Sequence, residues 1–123
     1  MSIAEALAAE PLAKSDPGCP PGTCLGYFDR RFLNTGYSVL ADFGPNDSLR
    51  RIALSMVATQ GEAPCRRELQ SAARDFSRIH GAPDTVADGV TTWRNGPAAI
   101  ALADGCAKAA GSTIVITIDS QDR

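Results

Sequence analysis

The chain has 123 residues, 44% of them hydrophobic and 21% charged, with a formal net charge of −2. That length and mix describe one globular domain able to bury a core, and exclude a disordered chain. The charge offers no electrostatic case for nucleic acid or an anionic membrane, and no apolar run is long enough for a transmembrane helix.

Ser2 and Glu5 have capping-box spacing, Ile3, Ala6 and Leu7 share one side, and Pro11 ends the stretch, so a short helix opens the chain. Glu5 and Glu10 exclude the apolar segment of a secretory signal from this stretch. Two readings stay open: a cytoplasmic protein, or an exported one whose signal has been removed. Ser15 to Gly26 is a Pro/Gly-rich connector. Residues 1–35 thus read as a short helix and connector, and residues 36–119 as the core of a single domain spanning 1–123.

From Gly36 to Phe43, Tyr37, Val39, Ala41 and Phe43 alternate with Ser38, Leu40 and Asp42. Gly44-Pro45-Asn46-Asp47 is a dense turn signal, and Leu49 to Ala58 returns with Ile52, Leu54 and Met56 on one face. Pro64 to His80 reads as the main helix. Pro64 suits its first turn and Gly81 its left-handed stop. Cys65, Leu69, Ala72, Phe76 and Ile79 trace one apolar stripe at 3.6-residue spacing.

Asp84 to Gly89 reads as a loop and Val90 to Trp93 as a short strand. Asn95-Gly96 marks a turn that Pro97 lengthens or makes irregular. Ala98–Cys106 and Ser112–Asp119 complete a meander, with Ile114, Ile116 and Ile118 on its clearest apolar face. The expected class is therefore α+β in the order α-ββ-α-βββ: a five-stranded antiparallel sheet with one main helix packed on one face. Leu40, Ala53, Val57 and Val115 fall on the second face. A face that apolar calls for cover by the N-terminal segment, by curvature or by another chain, a homodimer included.

Four cysteines allow three pairings. Cys19 and Cys24 bound a tight Pro-Pro-Gly-Thr segment whose ends approach disulfide distance. Helical phase places Cys65 on the buried stripe, and strand parity places Cys106 with Ile100 and Leu102. The favoured pairing is thus Cys65–Cys106 with Cys19–Cys24. Free thiols in a cytoplasmic protein, a four-cysteine zinc site and a redox-active Cys19–Cys24 pair are the alternatives. Zinc usually takes two closely spaced pairs and only one exists; the four-residue spacer argues against redox chemistry. An oxidising compartment, periplasmic or exterior, is the better fit, with cytoplasmic as the alternative.

Little in the chain points to catalysis. His80 stands at a helix C-terminus, where an imidazolium complements the dipole. Asp84 and Asp88 suit turn formation more than paired acid–base work. No nucleophile elbow, phosphate loop or metal-ligand pattern with histidine is present, so no catalytic residue, metal or cofactor is expected. Arg67, Arg74 and Arg78 form one outer helix stripe, with Arg66 nearby and Glu68 and Asp75 interspersed. A solvated face with ion pairs is its ordinary use; gripping an acidic protein or phosphate is the functional one. Trp93 beside Arg94 suits core packing or a cation–π contact ahead of a binding hot spot.

Phe76-Ser77-Arg78-Ile79-His80-Gly81-Ala82-Pro83, then Trp93 and the strand Ala98–Cys106, resembles a layout of small exported bacterial α+β proteins. There a helix ends in Tyr-Gly-x-Pro before a tryptophan strand and a meander. Phe43-Gly44-Pro45-Asn46-Asp47 echoes their Phe-Gly hairpin turn, while His80 stands where they have tyrosine. The likeness spans roughly residues 36–119. Similar compact folds serve as envelope assembly factors, inhibitors of secreted enzymes and immunity proteins. The resemblance implies binding of another protein more than catalysis, and transfers no site residues. The expectation is an exported, non-enzymatic protein-binding domain of inhibitor or immunity type, with Arg67, Arg74, Arg78, Trp93 and Arg94 as candidate partner contacts. A small-ligand or lipid carrier is the alternative, and a small enzyme comes third.

Overall fold

A computed structural model describes residues 2–20, 22–29, 36–58, 61–95, 98–107 and 112–120. In chain order they form α1 (Ile3–Ala9), β1 (Lys14–Ser15), β2 (Cys24–Asp29), β3 (Tyr37–Asp42), β4 (Arg51–Ala58), α2 (Glu62–His80), β5 (Thr85–Ala87), β6 (Val90–Asn95), β7 (Ala98–Gly105) and β8 (Ser112–Ser120). The class is α+β, as expected, but the sheet has eight strands instead of five, in the order β1-β2-β3-β4-β8-β7-β6-β5. The added strands are β1, β2 and β5. The chain divides into two compact units, 1–54 and 55–123, and the division falls within β4.

In the first unit, α1 carries the expected capping box. The Ser2 hydroxyl accepts from the Glu5 N–H at 3.3 Å, and the Glu5 carboxylate accepts from the Ser2 N–H at 3.0 Å. The Ile3 N–H donates to Asp47 at 2.9 Å, fastening the helix start to the turn after β3. Ile3 and Ala6 then pack against a core of Ala13, Leu25, Ala41 and Phe43. The alternation in β3 is real, with Tyr37, Val39 and Ala41 all buried. The turn after it is held by Asp42, which accepts from the Gly44 N–H at 2.9 Å and pairs with Arg50 at 3.1 Å. The Pro/Gly-rich connector of the sequence reading ends earlier than expected. Cys24 already begins β2, which pairs with β3 from Cys24↔Asp42 to Asp29↔Tyr37. Leu40 and Ala53, on the other face, are half-buried.

In the second unit, α2 starts two residues before Pro64 and ends where expected, with the Gly81 N–H donating to the Ser77 carbonyl at 2.9 Å. Cys65, Ala72 and Phe76 are its buried stripe, and Leu69 is half-buried. Ile79 departs from the expectation: it is 67% exposed. The sheet side of that last turn is taken by Phe76, whose ring stacks on His80 at 6.4 Å and meets Trp93 at 5.5 Å. β6, β7 and β8 form the expected meander, in register from Trp93↔Ile100 to Gly105↔Thr113. Ile114 and Ile116 are buried and Ile118 half-buried, while Val115, facing the other way, is half-buried too. The side chain of Val57 and the Gly96-Pro97 turn lie outside the described residues.

The expected loop at Asp84–Gly89 is instead a hairpin. Asp88 and Gly89 have φ of 54° and 75°, the pair of left-handed residues that a two-residue turn needs, and β5 pairs with β6 from Thr85↔Thr92 to Ala87↔Val90. The unit is therefore a four-strand meander behind a helix.

Two attachments fix the direction of α2. Cys65 is bonded to Cys106, beside the Gly105↔Thr113 end of the β7–β8 pair, and Phe76 sits on Trp93, opposite Ile100. Eleven helical residues rise about 16 Å, and the five from Gly105 to Ile100 about 17 Å. The helix thus runs from the Gly105 end of the meander toward Trp93.

Candidate functional site

Both disulfides pair as expected, Cys65–Cys106 from helical phase and strand parity and Cys19–Cys24 from the tight turn between them. Cys65 and Cys106 are joined with Cα atoms 5.6 Å apart, and Cys19 and Cys24 at 6.0 Å. No cysteine is left free. The first closes a long loop over the core of the second unit; the second closes the six-residue turn in the first, where the Thr23 hydroxyl also donates to the Pro20 carbonyl at 2.6 Å.

Three of the five proposed contact residues, Arg67, Arg74 and Arg78, stand exposed on α2. Arg78 pairs with Asp75 at 3.3 Å. Arg67 and Arg74 make no ion pair among the described residues. Arg66, one step round the helix, is fully engaged: it bridges Glu62 at 2.8 Å and Asp104 on β7 at 3.2 Å. The hydrogen bond from its guanidinium to Glu62, with the Asp104 charge, raises its pKa further above the ordinary arginine value.

Trp93 takes the core role. It is 1% exposed, and its indole N–H donates to the Gly81 carbonyl at 3.1 Å, so it ties the helix stop to β6 and offers no surface to a partner. Arg94 is exposed, and its backbone N–H donates to the Asp84 carboxylate. Asp84 is thus a backbone clamp, Asp88 a turn residue, and His80 a stacking partner of Phe76.

The sequence reading missed a groove in the second unit. α2 contacts β6 and β8. A hollow of about 220 Å³ opens beside it, lined by Leu69, Gln70 and Ala73 of the helix, Val86 of β5, Thr91 of β6 and Leu102 of β7. Asp104, held by Arg66, lines it as well. Val86 is 71% exposed, and Thr85 and Ala87 beside it are exposed as well. β5 ends the strand order, so its outer edge carries no further strand among the described residues. The Asp88-Gly89 dipeptide between Val86 and Val90 was the available signal for this edge.

A second hollow belongs to the first unit alone. It measures about 230 Å³ and is walled by Ala6, Ala9 and Ala13 against Leu25, Ala41, Phe43 and Ile52, with Tyr27 and Glu10 contributing polar groups. Alanines form much of its wall, and their short side chains leave the space unfilled.

Among the described residues no helix is long and apolar enough to cross a membrane, and no cluster of His, Cys, Asp and Glu is arranged to hold a metal ion. The chain matches no protein-family model, no curated protein and no solved structure.

Proposed function

We propose that the chain is an exported, non-enzymatic protein-binding domain of inhibitor or immunity type, working in a bacterial envelope or outside the cell. The observation that carries this reading is the open edge of β5 beside the α2 groove, a surface that joins backbone groups to apolar side chains. The two disulfides support the oxidising compartment, since such bonds persist outside the reducing cytosol. The test is cross-linking of the oxidised chain in a bacterial envelope extract, followed by identification of the adduct and reconstitution from purified components. A stoichiometric complex is expected. A chain that reconstitutes with no protein, and carries a bound small molecule instead, sinks the proposal.

A second reading, a carrier for a small apolar ligand or lipid, is favoured by the alanine-walled hollow of the first unit. A volume near 230 Å³ suits a short alkyl chain or a single ring more than a whole lipid. Native mass spectrometry with a short-chain fatty acid decides it, and Ala41→Leu, which fills the hollow, is expected to abolish any adduct.

A further inference from the structure

We infer that the groove between α2 and β5 receives an extended segment of the partner protein with the pattern cation-x-apolar-x-cation, paired antiparallel to β5 and centred on Val86. This rests on the protein-binding reading and names the site and the chemistry of what it binds.

The backbone sets the register. β5 and β6 are joined by the two-residue turn Asp88-Gly89, which closes on the pair Ala87↔Val90. Residues that close such a turn exchange hydrogen bonds, and along an antiparallel ladder bonded and non-bonded pairs alternate. Val86, paired with Thr91, is therefore a non-bonded position toward β6, and its own N–H and C=O point to the open side of the sheet. β5 ends the strand order, so no strand takes them up among the described residues. An edge of three residues supplies one such position and little more. Side chains must supply the rest of the recognition.

The side-chain row through Val86 gives the central position. Val86 is opposite Thr91 and Thr91 opposite Leu102, so the three lie in one row across the sheet. All three line the groove, together with Leu69 and Ala73 of α2. A residue placed opposite Val86 extends that row by one strand, with its side chain on the groove face. An apolar side chain there covers Val86, which is 71% exposed. The flanks are acidic. Asp84 and Asp88 stand two residues to either side of Val86, both exposed. Asp84 receives the Arg94 backbone N–H, a bond that leaves its negative charge uncompensated. Asp104 lines the groove too, but its charge is met by Arg66 at 3.2 Å. A cation two residues before the apolar group and another two after it therefore come opposite Asp84 and Asp88. A second copy of this chain does not fit the same edge. Two β5 strands paired antiparallel about Val86 would set Asp84 of each against Asp88 of the other, and like charges directly opposite repel.

The test uses the full oxidised chain and fluorescently labelled Thr-Lys-Thr-Leu-Thr-Lys-Thr. A companion peptide has glutamate at both lysine positions, and two more carry a single N-methyl group, on the leucine or on the threonine after it. Fluorescence anisotropy is expected to show the lysine peptide binding at least about tenfold more tightly than the glutamate peptide, and weakening with salt. Methylation of the leucine N–H, which meets Val86, removes binding; methylation of the threonine N–H, which points to solvent, spares it. Asp84→Asn with Asp88→Asn keeps the acceptor for Arg94 and suits the left-handed turn, and brings the lysine and glutamate peptides to parity. Val86→Pro deletes the edge donor without adding a charge, and removes binding. Circular dichroism of each variant confirms the fold. Equal binding of the two charged peptides by the unaltered chain, a preference that survives the asparagine variant, binding that survives leucine methylation, or no binding of the lysine peptide overturns the inference. If a protein partner binds the asparagine and proline variants as it does the unaltered chain, the site is wrong and the protein-binding reading stands. If no protein binds the unaltered chain, that reading has failed as well.

Discussion

Gly105 faces Thr113 across the β7–β8 ladder, and a methyl group on it would collide with the Thr113 hydroxyl and lie 2.7 Å from its carbonyl oxygen. The side chain can turn away but the carbonyl cannot. Gly105→Ala is therefore expected to cost about 1–3 kcal/mol in urea unfolding, and Thr113→Ala to recover only part of it. At Trp93 the loss is of volume and of a donor: Trp93→Ala should cost about 3–5 kcal/mol, enough to threaten folding. Trp93→Phe keeps most of the packing on Phe76 but gives up the bond to Gly81. Glu5 makes a pH-dependent contribution. The Ser2 N–H and hydroxyl hold its carboxyl below the ordinary glutamate value. A depressed value in the folded state means the cap is intact at neutral pH and is lost as pH falls through that value. Amide shifts of Ile3 and Ala6 should report this loosening in acid, and Glu5→Gln should flatten it.

The two disulfides act on their elements with different leverage. On the chain-entropy account, closing the 41-residue separation of Cys65 and Cys106 contributes about 4 kcal/mol and the five-residue separation of Cys19 and Cys24 about 2. Thermal unfolding of the Cys65→Ala/Cys106→Ala and Cys19→Ala/Cys24→Ala variants should rank them in that order. The long-range bond was legible in the sequence because two independent periodicities, 3.6 in α2 and 2 in β7, placed both sulfurs inward. The same periodicities gave β3, β4 and β8. β2 was lost because Gly26 interrupts its pattern, Phe28 is exposed and its first residue is a half-cystine in a proline-rich turn. β1 is too short to show a period, and β5, exposed throughout, has no buried face to produce one. The arginine stripe was visible from helical phase. The groove beside α2 was not, because it depends on which strands the helix covers, and no local pattern encodes that.

At the scale of the whole molecule, the order helix then four strands occurs twice, although no sequence repeat announces it. The matching residues differ: the first helix is alanine-rich and short, the second long and arginine-rich. Each run also has its own disulfide, and the intact mass of the unreduced protein should lie below the reduced mass by four hydrogens. A mass that does not shift on reduction would remove the case for export and with it most of the functional proposal, while leaving the fold in place.

The position of those bonds along the chain has a topological consequence. Cys19–Cys24 and Cys65–Cys106 follow one another without interleaving, so the covalent graph is two closed rings joined by one open thread of chain. A protease that cuts the thread between residues 25 and 64 leaves no covalent link between the pieces, and they separate under denaturing, non-reducing conditions. A cut inside the larger ring, between residues 66 and 105, leaves a single species that parts only on reduction. Electrophoresis of nicked protein with and without reductant therefore maps each cut to ring or thread.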